Sequence, residues 1–301
     1  MGKKRNKFIC YIRGIYKSIM CKFSKDYAYW EGAYWWYYKA KGKELDYGNP
    51  QDLSEKLMWL SRYWQDPRKS DCADKYKVRQ YIRDCGFEDI LVPIYGVWEN
   101  ASDIDFQKLP SQFVLKCNHG CGYNIICKDK TNINKEQIIQ TLNGWLKETY
   151  GFENYEVHYA KIKPLIICEM YLPSLDSSVI DYKIYCLNGK PHSILVCSDR
   201  DEKHDCNLST YSLDWERLNF LKETSDSGCD IPKPQHLPQM IEIAEKISAP
   251  FPFVRVDLYE IEGKIYFGEM TFTPQGNLLT YHKDDVLIEM GKKLILPSKF
   301  R

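Results

Sequence analysis

The chain has 301 residues, 44% of them hydrophobic and 28% charged, with a formal net charge of +1. That length supports a sizeable core in one large domain or a few packed subdomains, and the near-zero charge excludes bulk attraction to nucleic acid. No apolar run reaches the roughly 18–20 residues of a membrane-spanning helix, and no small-residue cleavage site follows FICYIRGIYKSIMCKF, so a secretory signal is not expected.

Eight cations, from Lys3 to Lys25, precede the first acid, Asp26. This basic start suits either a helix lying on an anionic membrane surface or an N-terminal helix docked on the core. The aromatic cluster YAYWEGAYWWYYKAKGK follows, as packing or as a partner surface. Leu53, Leu57, Leu60 and Trp64 then recur at helical spacing, and Asp66-Pro67 ends that helix. A second helix is predicted over SDCADKYKVRQYIRDCG, with Asp71 as N-cap, Tyr76, Val78, Tyr81, Ile82 and Cys85 as core candidates, and Gly86 as its stop. ILVPIYGVW reads as a strand. FVLKC and NIICKD flank the loop NHGCGY as a hairpin. Helix follows from Asn134 to Tyr150, with Ile138, Leu142, Trp145 and Leu146 on one face, and then a strand, PLIICEMYL, that exits at Pro173. DYKIYCLNGKPHSILVCSD carries an Asn188-Gly189 hairpin turn. Residues 199–232 read as a polar, mobile loop with one short element, PQMIEIAEKIS as a helix, and FPFVRVDLYEIEGKIYFGEMTF as two strands around Glu262-Gly263. Strands and helices mixed with hairpins indicate α+β or mixed α/β rather than an alternating Rossmann pattern.

The 12 cysteines form no CxxC pair, and the histidines are not at zinc-ligand spacing from them. Cys168, Cys186 and Cys197 lie in apolar runs and read as small buried hydrophobes of a reducing cytosol. Chemistry is instead concentrated in three places. Gly120 and Gly122 give a loop whose backbone N–H groups can close on phosphate, with Lys116 and Lys128 on the flanking strands. Asp257 and Glu269 stand about equally far from the 262–263 turn and so become cross-strand neighbours. Two acids among apolar residues suit a hard cation such as Mg²⁺, and Arg255 shares their face. Asp181 and Lys183 share another. Glu169 and Tyr171 close a strand whose exit offers backbone groups to an adenine edge. These parts together make a Mg–nucleotide site.

In their order, EKLMWL, ADKYKVRQYI, FVLKCNHGCGYNIICKDK, ICEMYL, DYKIYCLNGKP and FPFVRVDLYEIEGKIYFGEMTF resemble the TupA-like ATP-grasp family of bacterial polysaccharide gene clusters, over roughly residues 45–275. The resemblance implies an α+β ATP-grasp fold, with antiparallel or mixed sheets in two subdomains that grip a nucleotide. It divides the chain into a basic and aromatic segment (1–44), an N-terminal subdomain of helices and a strand (45–110), a lid subdomain (111–168) and a C-terminal subdomain with the metal site (169–301). It implies that Lys116 holds phosphates, that His119, Gly120 and Gly122 form the lid, and that Lys128 supports the nucleotide. Glu169, Met170, Tyr171 and Leu172 become the adenine hinge and Asp176 the ribose contact. Lys183 reaches the terminal phosphates, Asp257 and Glu269 bind Mg²⁺, and Arg255 steadies the transferred phosphoryl group. Thr271 stands where most ATP-grasp enzymes have a metal-binding Asn, and Cys121 where a small hydroxyl residue is common.

The implied function is an ATP- and Mg²⁺-dependent carboxylate–amine ligase that works through an acylphosphate. It joins an amino acid or other amine to an acidic sugar of a surface polysaccharide, in the cytoplasm or at the inner membrane face. A phosphotransferase, a glycosyltransferase of the same gene cluster and a non-catalytic nucleotide-binding module are the alternatives.

Overall fold

The computed structural model describes residues 25–152, 155–172, 180–199 and 206–299. Asp176 and the basic N-terminal stretch lie outside the described residues. The chain divides into two compact units, 1–49 and 50–301. Within the first, the aromatic cluster forms helix α1 (Lys25–Lys41), in which the Trp30 indole donates to Asp26 at 3.1 Å. Its Trp30, Ala33 and Tyr37 are buried, whereas Trp35 and Tyr38 are exposed. No helix among the described residues is long and apolar enough to cross a membrane.

The second unit begins with α2 (Leu53–Tyr63). Asp52 caps it by accepting from the Glu55 amide at 2.9 Å, and the Glu55 carboxylate accepts in return from the Asp52 amide at 3.3 Å. This reciprocal box satisfies two otherwise orphaned donors. Leu53, Leu57, Leu60 and Trp64 are buried, as their spacing predicts.

The single helix expected after Asp66-Pro67 is two. Asp66 caps α3 (Pro67–Ala73), with Pro67 in the first turn, where a missing N–H costs nothing. Asp74 then breaks the chain: its carboxylate accepts from the amides of Tyr76 and Lys77, at 2.8 and 3.2 Å, before α4 (Val78–Asp84) starts. Asp71 is therefore not an N-cap but an exposed partner of Lys77. Tyr76 is 41% exposed rather than in the core, while Val78 and Ile82 are buried.

The first sheet has the order β1-β4-β2-β3, from β1 (Ile94–Trp98), β2 (Phe113–Cys117), β3 (Asn124–Cys127) and β4 (Ile166–Met170). Phe113, Leu115, Cys117, Ile166 and Cys168 face one way, and their core takes in Ile138 and Leu142 of α5 (Lys135–Trp145). That helix ends at Trp145, short of the expected Tyr150. Alternation sends Val114, Lys116, Ile167 and Glu169 to the opposite face.

The second sheet has the order β7-β6-β5-β8-β9. It contains β5 (Asp181–Leu187), β6 (Lys190–Ser198), β7 (Asn207–Tyr211), β8 (Phe253–Ile261) and β9 (Lys264–Thr271). Both predicted turns form, with positive φ at Asn188, Gly189, Glu262 and Gly263. α6 (Leu237–Ser248) covers one face, where the Cys186 thiol meets the Ala244 carbonyl at 3.9 Å. Asp181, Lys183, Tyr185, Arg255 and Asp257 belong to the other.

Two further expectations need correction, and one helix was not expected. Cys197 is not a free thiol: it is disulfide-bonded to Cys206, with Cα atoms 5.8 Å apart. The described part of 199–232 folds back on β7 instead of being loose. Leu208 bridges Asp226, Tyr211 bridges Arg217, and Trp215 stacks on Tyr211 at 4.2 Å. Finally, α7 (Asp284–Lys293), which the sequence pattern did not reveal, packs on α2, and Lys56 donates to the Leu294 carbonyl at 2.6 Å.

Close approach of α7 to the start of α2 requires Gly291. A Cβ there would lie 2.4 Å from the Gln51 carbonyl oxygen and 2.7 Å from Asp52 backbone atoms, neither of which can turn aside. Gly144, in α5, has nothing within 4 Å of its added Cβ. Gly291→Ala is expected to lower stability by about 1–3 kcal/mol through overpacking, and Gly144→Ala to raise it by about 0.5–1 kcal/mol through helix propensity. Urea denaturation of the two variants checks the opposite signs.

Candidate functional site

The second sheet builds a buried ion cluster. Its register places Lys183 and Glu269 on either side of Asp257, and Thr271 beside Arg255. A bulge makes this possible. Gly268 is the extra residue between the pairs Asp257–Glu269 and Leu258–Phe267. Without it, Phe267 and Glu269 would share a face; with it, Phe267 packs in the core and Glu269 joins Asp257. A Cβ on Gly268 would meet the Asp257 carbonyl and the Tyr259 ring, both at 2.9 Å.

Asp257 is 1% exposed, and both its oxygens are engaged. Arg255 donates to them through Nε at 2.7 Å and Nη2 at 2.6 Å, and Lys183 Nζ adds a third bond at 2.6 Å. Lys183 also pairs with Asp181 at 2.5 Å. Burial alone would push the Asp257 carboxyl up, but the charges of Arg255 and Lys183 hold it below its ordinary value. Burial likewise opposes the charge on Lys183, yet Asp181 and Asp257 keep its pKa raised. Thr271 donates to Glu269 at 2.9 Å and accepts from Arg255 at 3.0 Å. The Glu269 side chain is 39% exposed, so it forms the open edge of the cluster. Two carboxylates and a hydroxyl are oxygen donors of the kind Mg²⁺ prefers, and four cation–carboxylate contacts are of the kind that phosphate can exchange with. The residues present therefore fit Mg²⁺ and a nucleotide phosphate.

The first sheet supplies the other half. Lys116 Nζ pairs with Glu169 at 2.7 Å on the face away from the core. Met170 ends β4, and its amide is already taken by the Pro93 carbonyl at 2.9 Å. Tyr171 and Leu172 follow, both buried. Lys128 is exposed beyond β3. In the glycine loop, Gly122 has φ +78°, and a Cβ on Gly120 would strike the Tyr123 ring at 2.6 Å. His119 is buried and bonds through Nε2 to the Trp145 carbonyl at 3.1 Å, so it anchors the loop to the end of α5. Burial lowers its pKa.

Several residues of the site were missed in the sequence. Lys75, between α3 and α4, donates from Nζ to the Gly120 carbonyl at 2.5 Å, bringing a third lysine to the loop. Asn118 is fully buried; its side chain donates to Asp74 at 2.9 Å and accepts from the Leu165 amide at 2.6 Å. The signal available was the pair Asp74-Lys75, an acid and a cation within a predicted helix. Glu156 is the third omission. It is 6% exposed and accepts a hydrogen bond from Thr273. Burial, reinforced by the charge of Glu269, pushes its pKa up to about 7. Tyr123, Tyr150 and Tyr159 form a run of edge-on rings, 5.9 and 5.2 Å apart, that leads from the glycine loop to this carboxyl. The Glu269 charge is felt at Tyr150 and Tyr159 too, after burial, so the two halves of the site are electrostatically joined.

The family model described as TupA-like ATPgrasp matches residues 55–295. The chain belongs to this family. Among solved structures, an L-amino acid ligase from Bacillus licheniformis aligns at 13% identity and a TM-score of 0.45, over 75% of this chain and 46% of its own. The D-cycloserine synthetase DcsG aligns at 15% identity and 0.41, over 76% and 72%. A D-alanine–D-alanine ligase from Helicobacter pylori aligns at 19% and 0.41, over 79% and 62%. This chain thus spans about half the length of the Bacillus licheniformis ligase. No curated protein matches it.

The neutral Glu156 carboxyl predicts a pH dependence. Between its ordinary 4.5 and about 7, the folded state keeps a proton that the unfolded chain has lost. Stability therefore falls as pH rises through that window, by roughly 3 kcal/mol from this group, and is level above it. Urea midpoints measured from pH 4.5 to 8 are expected to show the fall in the wild type and a clear loss of slope in Glu156→Gln.

Proposed function

We propose that this protein is an ATP- and Mg²⁺-dependent carboxylate–amine ligase that acts on an acidic sugar of a cell-surface polysaccharide. The observation that carries the reading is the buried Lys183–Asp257–Arg255 cluster with Glu269 and Thr271 at its open edge, in a chain of the ATP-grasp family. Lys116 and Lys75 take the phosphates beneath the glycine loop, and Glu169 to Leu172 line the adenine. Lys128 supports the nucleotide from beyond β3. His119, Gly120 and Gly122 make the lid, His119 as its fixed end.

In the reaction, a substrate carboxylate oxygen attacks the γ-phosphorus. The bond to the β–γ bridging oxygen breaks and ADP leaves. The amine nitrogen of the second substrate attacks the resulting acylphosphate carbon. The carbon–oxygen bond to phosphate breaks, the nitrogen loses a proton, and inorganic phosphate departs. Asp257, Glu269 and Thr271 are the residues that would hold Mg²⁺, which supplies positive charge to the phosphate oxygens. Lys183 and Arg255 place fixed positive charge where the transferred phosphoryl group accumulates negative charge. No side-chain nucleophile is needed.

A second reading has one observation in its favour. Both Asp257 oxygens are already bonded to cations, and Thr271 is held between Arg255 and Glu269. A nucleotide-binding module without turnover would tolerate that arrangement.

Calorimetry with Mg–ATP on the wild type and Lys116→Ala is expected to show binding that needs Mg²⁺ and weakens at least tenfold in the variant. Phosphate release with amine and uronate present is expected to fall by about 10²–10³ in Glu269→Ala. Mg–ATP binding without phosphate release across acidic sugars and amines would favour the module. Full activity of Glu269→Ala would remove Glu269 from the metal site.

A further inference from the structure

An open cavity of about 780 Å³ lies between the α3–α4 helices and the edge of the first sheet. It is separate from the ion cluster of the second sheet and from the glycine loop. Ile94 and Val97 of β1 form its floor, and Ile94 stands directly opposite Glu169 in the sheet, so the floor continues the Lys116–Glu169 face. Four cations line the cavity, Arg68, Lys77, Arg79 and Arg83, against two acids, Asp71 and Asp84.

Three of those cations are matched at hydrogen-bond distance. Arg68 closes on Asp66 at 2.5 Å, Lys77 on Asp71 at 2.9 Å and Arg83 on Glu88 at 2.9 Å. Arg79 is not. Its side chain is 10% exposed, yet among the described residues its ion pair is to Glu169 at 3.9 Å, and that carboxylate is already bonded to Lys116 at 2.7 Å. One carboxylate thus serves two cations. A guanidinium this buried is costly unless several of its five donors are satisfied, and burial pulls its pKa below the ordinary value. The excess of positive charge sits at the inner wall of a cavity that opens to solvent.

We propose that this cavity binds the acidic sugar chain of the substrate, with the Arg79 guanidinium as the anchor for a carboxylate other than the one that reacts. The proposal rests on the ligase reading above and names where its acidic partner docks. A planar carboxylate matches the guanidinium fork. The rest of the wall suits a sugar rather than a bare ion. Tyr76 and Tyr81 line it with aromatic surface for C–H groups, and Gln80 and Asp84, joined by a hydrogen bond of 2.8 Å, keep a second amide hydrogen and carboxylate lone pairs for hydroxyls. The volume lies within the ~300–1,000 Å³ usual for sites of drug-sized ligands, more room than a single amino acid needs.

The test uses the full chain and tetragalacturonate as the probe, with maltotetraose, L-glutamate and inorganic phosphate as comparators, by calorimetry. Tetragalacturonate is expected to bind the wild type and maltotetraose is not. Arg79→Gln is expected to weaken the uronate at least tenfold. Gln80→Glu, on the exposed rim and away from Glu169, is expected to weaken it severalfold by adding like charge, with Mg–ATP binding unchanged. Circular dichroism confirms that each variant is folded. A folded wild type that ignores the uronate, or an Arg79→Gln protein that binds it undiminished, overturns the proposal. Arg79-dependent binding of glutamate or phosphate without the uronate overturns the sugar assignment. Mg–ATP titrations in the same samples separate the two readings. ATP binding without uronate binding defeats the cavity alone, whereas uronate binding without ATP binding defeats the ligase and leaves the cavity standing.

Discussion

A carboxylate with 1% of its surface exposed can stay ionised only if the sheet around it delivers cations. Asp257 sits in β8, between β5 and β9, and cations reach it from β5 and from β8 itself. β5 brings Lys183 directly opposite, and β8 itself brings Arg255 two residues away on the same face. A one-residue slip of either pairing would send Lys183 or Glu269 to the α6 side, among Ile184, Val256 and Met270. The register of three strands is thus tied to the compensation of one charge. The Asn188-Gly189 and Glu262-Gly263 turns set that register from the ends, and the bulge at Gly268 corrects it locally where Glu269 must join.

This explains which parts of the site could be read directly from residues. Turn chemistry is local, so the similar distances of Asp257 and Glu269 from Glu262-Gly263 made them neighbours across the strands; strict counting sets Gly268 opposite Asp257, and the bulge there moves Glu269 into that place. The glycine loop and its flanking strands were equally local. The partners of Lys75 and Glu156 were not legible because they lie far along the chain. Lys75 meets Gly120, 45 residues on, and Glu156 meets Thr273, 117 residues on. Neither spacing leaves a periodic trace. The break between α3 and α4 was missed for a different reason. Asp74 competes for the backbone with its own side chain, and a pattern of apolar residues at helical spacing does not register that competition. The partner of Cys197 was hidden in a polar segment that looked unstructured, although Trp215 and Tyr211 give it a packed interior.

Four cations of the candidate site are each held by an internal acceptor. Lys116 has Glu169, Lys75 has the Gly120 carbonyl, Lys183 has Asp181 and Asp257, and Arg255 has Asp257 and Glu269. These contacts keep the site charged and shaped without a ligand, which is preorganisation. They also mean that an incoming phosphate exchanges one partner for another, so the free energy gained is the difference between two ion pairs rather than the whole of one.

Were Lys116 to turn to a phosphate, as the ligase reading proposes, Glu169 would be left with Arg79 as a remaining cation, 3.9 Å away. The guanidinium would then be drawn toward Glu169 and away from the cavity it lines. Occupation of that cavity by a carboxylate would oppose the movement and leave Glu169 to Lys116. An anion held by Arg79 and a phosphate held by Lys116 therefore compete, through one shared carboxylate, for the same two cations. Coupling of this kind is reciprocal, and its sign is negative unless other groups at the nucleotide compensate for the charge Glu169 retains. Lys75 is placed to be such a group, because its present acceptor is a neutral carbonyl, and a neutral partner is the easier one to give up.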